Sequence, residues 1–144
     1  MKAINTIRMT FPSRSANEGF ARVAIAAFVA QLDPTVEEIS EIKTAVSEAV
    51  TNCIVHGYGD ALGGITIAGR LYENGKLVLS IKDKGRGIED VEQAMEPLFT
   101  TGNTEERSGM GFTIMETFMD KVRVTSKAGI GTTVTFTKYI KAKE

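Results

Sequence analysis

Ile65-Thr66-Ile67-Ala68-Gly69-Arg70-Leu71-Tyr72, then Glu73-Asn74-Gly75, then Lys76-Leu77-Val78-Leu79-Ser80-Ile81-Lys82 is the stretch that sets the architecture. Both arms alternate in strand fashion, the period of a sheet with one buried face. The Asn-Gly pair between them reaches positive φ easily and suits a tight turn. The arms therefore form an antiparallel hairpin. Upstream, Thr35 with Glu38 three residues later makes a capping box, and Val36, Ile39, Ile42, Val46, Ala49, Val50 and Cys53 continue a helical stripe as far as Gly57. A long helix precedes the hairpin.

Further upstream, Phe20, Val23, Ala24, Ala27 and Phe28 recur at helical spacing between Ala16 and Gln31, and Ser15 and Asn17 stand where caps belong. Ile25 and Val29 make the other flank apolar as well, with Arg22 among them, which predicts burial on two sides. Residues 4 to 11 partly alternate and stop at Pro12, as a strand at a sheet edge would. Downstream, Phe112 to Lys121 returns to helical spacing, and Val122 to Ser126 and Thr132 to Ile140 form a closing hairpin through Ala128-Gly129-Ile130-Gly131. The order predicts one α+β domain over residues 1–144, with strands pairing antiparallel and helices gathered on one face.

The chain has 144 residues, 17 Lys plus Arg against 18 Asp plus Glu, one Cys, one His and no Trp. A net charge of −1 with mixed signs gives no phosphate-backbone footprint, so direct nucleic-acid binding is not expected. One Cys and one His exclude an internal disulfide and a Cys/His zinc site, and fit a reducing compartment. The longest apolar run, Val23 to Ala30, is far short of the roughly 20 residues a membrane span needs, and the start lacks the pattern of a secretory signal. A cytoplasmic protein without membrane association is expected.

Asp83 to Gly111 is Gly-rich, charged and longer than the usual connection of about 4–6 residues, and long connections that persist are usually functional. Three clusters lie in or beside it. Glu48 and Asn52, four apart on one helical face, can reach a common hard cation or its waters. Asp83, closing a strand before Gly85 and Gly87, offers a carboxylate to the amino group of an aromatic base where another molecule can approach the backbone. Gly109 and Gly111 open a helix whose first N–H groups have no internal partners and suit phosphate. Taken singly, each has a bland alternative: an exposed i,i+4 pair worth about 0.2–0.5 kcal/mol, or an ordinary turn. Neither a full dinucleotide fingerprint nor a P-loop occurs.

Together, in this order, the clusters resemble the N box and two glycine boxes of the gyrase, Hsp90, histidine kinase and MutL (GHKL) ATP-binding superfamily. The resemblance narrows to the bacterial anti-sigma serine kinases through Phe20-Ala21-Arg22-Val23, Val46-Ser47-Glu48-Ala49-Val50-Thr51-Asn52, Pro97-Leu98-Phe99-Thr100-Thr101 and Glu106-Arg107-Ser108-Gly109-Met110-Gly111-Phe112-Thr113-Ile114-Met115-Glu116. It implies a two-layer α/β sandwich of the Bergerat type, a mixed, mainly antiparallel sheet, and a lid over Glu89 to Arg107. It also implies ATP or ADP with Mg²⁺. Asn52 would be the metal's oxygen ligand, Asp83 the adenine partner and Glu48 the general base, with Arg107 meeting the γ-phosphate. Gly85, Gly87, Thr100, Thr101, Ser108, Gly109, Met110, Gly111, Phe112 and Thr132 complete the implied nucleotide contacts. Relatives often carry Lys after the paired threonines, where this chain has Gly102, so closure would rely more on Arg107.

The same resemblance implies a dual function: sequestering a sporulation sigma factor, and phosphorylating a serine of its anti-anti-sigma (STAS-type) antagonist. Arg22 matches a position that docks both partners, and a homodimer is implied. Two alternatives stay open, a detached histidine-kinase catalytic domain and a binding module without catalysis. A closure-driven ATPase is disfavoured, because the sequence offers no second domain for a lid to move. His56, just before Gly57, is read as a helix-end imidazole favoured by the dipole, and Cys53 as a small core residue.

Overall fold

The computed structural model describes residues 2–96 and 111–141. Five strands, β1 (Ala3–Pro12), β2 (Gly64–Tyr72), β3 (Lys76–Asp83), β4 (Lys121–Lys127) and β5 (Gly131–Tyr139), form one sheet in the order β1-β2-β3-β5-β4. All four pairings are antiparallel. β1 lies at the edge, as its terminal Pro12 predicts. At the central hairpin Gly75 takes φ 84° and the Asn74 side chain accepts the Lys76 N–H at 3.2 Å.

The helices are α1 (Ala16–Val29), α2 (Val36–Asn52), the single turn α3 (Val91–Ala94) and α4 (Gly111–Phe118), with a short 3₁₀ turn at Ala30–Leu32 and a π-helical turn at Cys53–Tyr58. α2 packs between α1 and α4 over the sheet. Ile25, Ile42, Val46 and Met115 from the helices meet Ile67, Leu79, Ile81 and Phe136 from the strands, all fully buried. Gly69 of β2 makes room for this layer: a Cβ there would come 2.9 Å from the Phe28 ring and 3.1 Å from Leu79. The opposite sheet face is built from residues such as Arg8, Ala68, Ser80, Thr135 and Arg123, aligned across the strands.

The capping box of α2 forms with both bonds. Glu38 N–H donates to Thr35 Oγ1 at 3.0 Å, and Thr35 N–H donates to Glu38 Oε1 at 2.9 Å. Glu38 also accepts the Lys141 N–H at 3.1 Å, tying the C-terminal segment to the start of α2.

Three local expectations are corrected. α1 is buried on one side only, through Ala21, Ile25, Phe28 and Val29, whereas Phe20 and Val23 are 56% and 61% exposed. Ser15 makes no side-chain cap, and the Asn17 side chain instead donates to the Pro12 carbonyl at 2.9 Å. The helix expected from Phe112 to Lys121 ends at Phe118, where Lys138 Nζ donates to the last carbonyl at 2.7 Å and Asp120 takes the Tyr139 N–H. Within Asp83 to Gly111, α3 is a further element, capped by Asp90, whose side chain accepts the Gln93 N–H at 3.0 Å.

Candidate functional site

α2 does not run on regularly to Gly57. After Asn52 it widens into a π-helical turn, Cys53–Tyr58, which ends at Gly59 with φ 61°. Such turns recur at functional sites because the extra residue re-aims neighbouring side chains. Here the turn forms one wall of a cavity of about 440 Å³, and Asn52, Cys53, His56 and Gly57 all line it. Opposite stand Asp83 and Thr132, with Gly111 and Phe112 from the start of α4 and Gln93 and Ala94 from α3.

Asp83 ends β3 directly across from Thr132 of β5 and is only 5% exposed. Its Oδ1 accepts the Gly85 N–H at 2.9 Å. Gly57 presses on this carboxylate: a Cβ there would lie 3.0–3.2 Å from its carbon and both oxygens. Gly85 in turn packs on the Gly57 carbonyl, Gly87 on the Lys127 carbonyl and Gly131 on the Asp83 carbonyl, each too close for any side chain. Arg86 pins the loop between two elements, its N–H donating to Gly57 O at 2.9 Å and its carbonyl accepting from Gly129 N at 2.7 Å. The glycines thus let three backbone segments nest around a single buried acid.

Burial, and then the adjacent Asp83 charge, push the Cys53 thiol well above its ordinary range, so Cys53 stays protonated beside Asp83. Cys53 is both a core residue, 3% exposed, and part of the cavity wall. His56 also faces the cavity, which its reading as a simple helix end did not anticipate.

Two residues escaped the sequence reading. Tyr58 donates to the Gly64 carbonyl at 2.6 Å and accepts the Lys84 N–H at 2.7 Å, locking the loop after Asp83. Burial raises its hydroxyl pKa, the Lys84 N–H works against this, and the Asp83 charge adds to it. Ser126 Oγ accepts the Ile88 N–H at 2.7 Å, donates to the Gly131 carbonyl at 3.0 Å and lies 2.7 Å from Thr132 Oγ1. The only available signal was the position of Ser126 two residues before the last turn, which starts at Ala128.

Asn52 Oδ1 is fully buried and has no hydrogen-bond partner among the described residues. A buried amide oxygen left so costs stability unless something occupies its lone pairs, and an oxygen donor suits Mg²⁺. Among the described residues no group of three or more His, Cys, Asp or Glu could hold a metal alone. Mg²⁺ here would need phosphate oxygens and water to fill its shell, as it commonly does.

Glu48 does not line this cavity. It opens instead onto a neighbouring groove between α1 and α2 that also holds Arg22. Pro97, Thr100, Thr101, Gly102, Arg107, Ser108, Gly109 and Met110, and with them most of the expected lid, lie outside the described residues.

The family of histidine kinase-like ATPase domains matches residues 11–138. An anti-sigma F factor of Thermoanaerobacter sp. (strain X514) is 58% identical over 140 residues, covering 97% of both chains. Those of Geobacillus kaustophilus and Clostridium novyi are 56% and 55% identical, over 94% and 97% of this chain. The chain belongs to the anti-sigma F factor family. Its fold is that of the GHKL-type ATPase domain. The solved structure of the RsbU and RsbW domains of a Mycobacterium tuberculosis protein superposes with a TM-score of 0.71 at 20% identity, over 96% of this chain and 33% of that one. The catalytic domain of histidine kinase ThkA gives 0.59 at 17% identity, over 93% and 96%. Membership in this ATPase family implies nucleotide binding. No helix among the described residues is long and apolar enough to cross a membrane.

Proposed function

We propose that this chain is an anti-sigma factor that sequesters a sporulation sigma factor and, as an ATP-dependent serine kinase, phosphorylates and inactivates the sigma factor's anti-anti-sigma (STAS-type) antagonist. The observation that carries the nucleotide half is the buried Asp83 carboxylate across from Thr132, in one cavity with Asn52, whose buried oxygen has no partner among the described residues. The relatives' name, at 54–58% identity over nearly the full chain, supports the anti-sigma half. Arg22 is proposed as a docking residue for both partners, and a homodimer as the assembly, both on family resemblance.

In this reading Asp83 accepts the adenine amino N–H, and Thr132, held by Ser126, faces the same end of the base. Gly85, Gly87 and the Gly111-Phe112 start of α4 shape the wall, and Asn52 holds Mg²⁺. When bound, Mg²⁺ neutralises phosphate charge. Arg107, with Ser108, Gly109, Met110, Thr100 and Thr101, is proposed on the phosphates. The acceptor serine Oγ forms a bond to the γ-phosphorus while the bond from that phosphorus to the β,γ-bridging oxygen breaks, and ADP departs. Glu48 takes the serine proton. Phosphoryl transfer needs chiefly positioning and charge neutralisation, with a carboxylate near the attacking hydroxyl.

Incubation with labelled ATP and the antagonist tests this. Glu48→Gln is expected to lower transfer about a hundredfold or more while ADP affinity stays near that of the parent chain. The product is expected to be acid-stable phosphoserine. Acid-labile phosphohistidine would establish the detached histidine-kinase alternative, and tight nucleotide binding without transfer the binding module. Undiminished transfer by Glu48→Gln would remove Glu48 from the base role.

A further inference from the structure

The hydroxyl of Tyr58 sits where the sheet opens into the cavity. The β2–β3 register ends with Ile65 opposite Asp83, so Gly64 and Lys84 are the pair that would come next. The Tyr58 hydroxyl stands between them, donating to the Gly64 carbonyl at 2.6 Å and accepting the Lys84 N–H at 2.7 Å. A direct ladder bond spans about 2.9 Å, whereas a hydroxyl inserted between donor and acceptor sets them about 4–5 Å apart. Tyr58 thus parts the two chains by one oxygen at the first position after Asp83. Its own place is fixed from both sides. The Gly59 N–H donates to the Ile54 carbonyl at 3.0 Å and closes the π-helical turn around it, and its ring covers Gly63 so closely that no Cβ fits there. Gly63 is anchored in turn by the buried Ser13, whose N–H donates to the Gly63 carbonyl at 2.8 Å and whose Oγ accepts the Gly63 N–H at 3.0 Å.

We infer that Tyr58 is a positioning residue for purine recognition: its hydroxyl sets where the Asp83 carboxylate stands, and with it the preference of the site for a base that carries an amino group. The inference rests on the nucleotide reading, with Asp83 on the adenine amino N–H, and deepens it. Tyr58 does not line the cavity and acts through its neighbours. Gly57, the residue before it, packs on the Asp83 carboxylate, and Gly85, the residue after Lys84, orients Oδ1 at 2.9 Å. Two short segments, 57–58 and 84–86, therefore hold the acid between them, joined by the Lys84–Tyr58 bond and by the Arg86 N–H on the Gly57 carbonyl at 2.9 Å. Gly64 and Lys84 are exposed, so in the absence of the hydroxyl water can satisfy both backbone groups. That water is not tied to the π turn. The fold keeps its hydrogen bonds, while the carboxylate loses its fixed distance from the base, on which a charge-assisted hydrogen bond depends steeply.

The test measures, by calorimetry, the affinities for ADP and for purine riboside 5′-diphosphate, which lacks the amino group. The parent chain is expected to prefer ADP about ten- to a hundredfold, the worth of one hydrogen bond to a charged group. Tyr58→Phe keeps the ring on Gly63. It is expected to bind ADP about tenfold more weakly and purine riboside diphosphate within about twofold of the parental affinity, so that the preference falls about tenfold. The ratio separates positioning from a merely structural role, because any unfolded fraction lowers both affinities by the same factor and leaves their ratio unchanged. An undiminished preference in Tyr58→Phe, whether or not the two affinities fall together, overturns the positioning role alone. Equal affinities for the two diphosphates in the parent chain overturn Asp83 as the partner of the amino group, and the role of Tyr58 with it. Absence of ADP binding by the parent chain overturns the nucleotide reading itself.

Discussion

Replacing Gly57 by Ala separates the nucleotide site from the stability of the fold. Gly57 lies in the π-helical turn without a positive φ, so its backbone accepts Ala, and the helix propensity of Ala is about 1 kcal/mol better than that of Gly. Against that gain, the new Cβ would stand 3.0 Å from Asp83 Cγ and 3.1 and 3.2 Å from its oxygens, where ordinary contacts begin near 3.4 Å. Asp83 cannot easily yield, because it is 5% exposed and fixed by the Gly85 N–H at 2.9 Å. Overpacking of this kind costs about 1–3 kcal/mol, so the net change in folding free energy is a loss of about 0–2 kcal/mol. The ligand suffers more. A carboxylate pushed aside would forfeit the charge-assisted hydrogen bond proposed to the adenine amino group, worth about 1.5–3 kcal/mol. ADP and ATP binding, measured by calorimetry, is expected to weaken about ten- to a hundredfold while urea unfolding shifts little. Parental affinity in a folded Gly57→Ala chain would refute Asp83 as the adenine partner, or show that the carboxylate has freedom the packing denies it.

Lys138→Met keeps the aliphatic stem but removes the donor to the Phe118 carbonyl and the 3.5 Å pair with Glu41. Leaving these groups unpaired at an 11% exposed side chain is expected to cost about 1–3 kcal/mol, a Tm loss of about 3–9 °C by calorimetry. A Tm within a degree of the parent would show that the clamp on α4 contributes nothing. Glu38 gives a pH test. Burial opposes its ionisation, but the Thr35 and Lys141 N–H groups, the Thr35 hydroxyl and the Lys138 charge outweigh this and place its pKa below 4.5. A lowered folded-state value stabilises the fold above the unfolded pKa, and that contribution disappears as pH falls through the folded one. In urea unfolding, the stability gap between the parent and Glu38→Gln is expected to be full near about pH 7 and to narrow below about pH 4.5. A gap that stays constant on acidification would refute it.

What was legible in the sequence was local. The capping box at Thr35 and Glu38, the Asn74-Gly75 turn and the strand alternation need only neighbours, and each formed. Alternation even put Lys138 on the same face as Val134 and Phe136, although nothing in the pattern named Phe118 and Glu41 as its partners. The inward face of α1 was not legible. Apolar residues surround much of that helix, and only packing on α2 and the sheet selects Ala21, Ile25, Phe28 and Val29 over Phe20 and Val23. The π turn after Asn52 has no composition of its own, so the stripe simply read on to Gly57. Tyr58 and Ser126 act through backbone groups distant in sequence, which no motif encodes.

The position of Glu48 changes how the two activities relate. A base inside the cavity would be available to water whenever nucleotide is present, and the chain would spend ATP without its partner. Glu48 instead sits at the end of the α1–α2 groove, while Asn52, one turn along the same helix, faces the cavity. Glu48 and Asn52 are four residues apart, about 6 Å along the helix, so an acceptor hydroxyl proposed at Glu48 would need no movement of α2 to lie near a metal proposed at Asn52. The widening after Asn52 strengthens this division. It brings Cys53, His56 and Gly57 to the cavity wall beside Ala49 and Asn52, while Lys43, Ser47 and Glu48 line the groove against α1. If Glu48 is the base, as proposed, its place outside the cavity favours a protein acceptor over water, and Ser47 bonded to Glu18 at 2.7 Å holds α1 against α2 beside it.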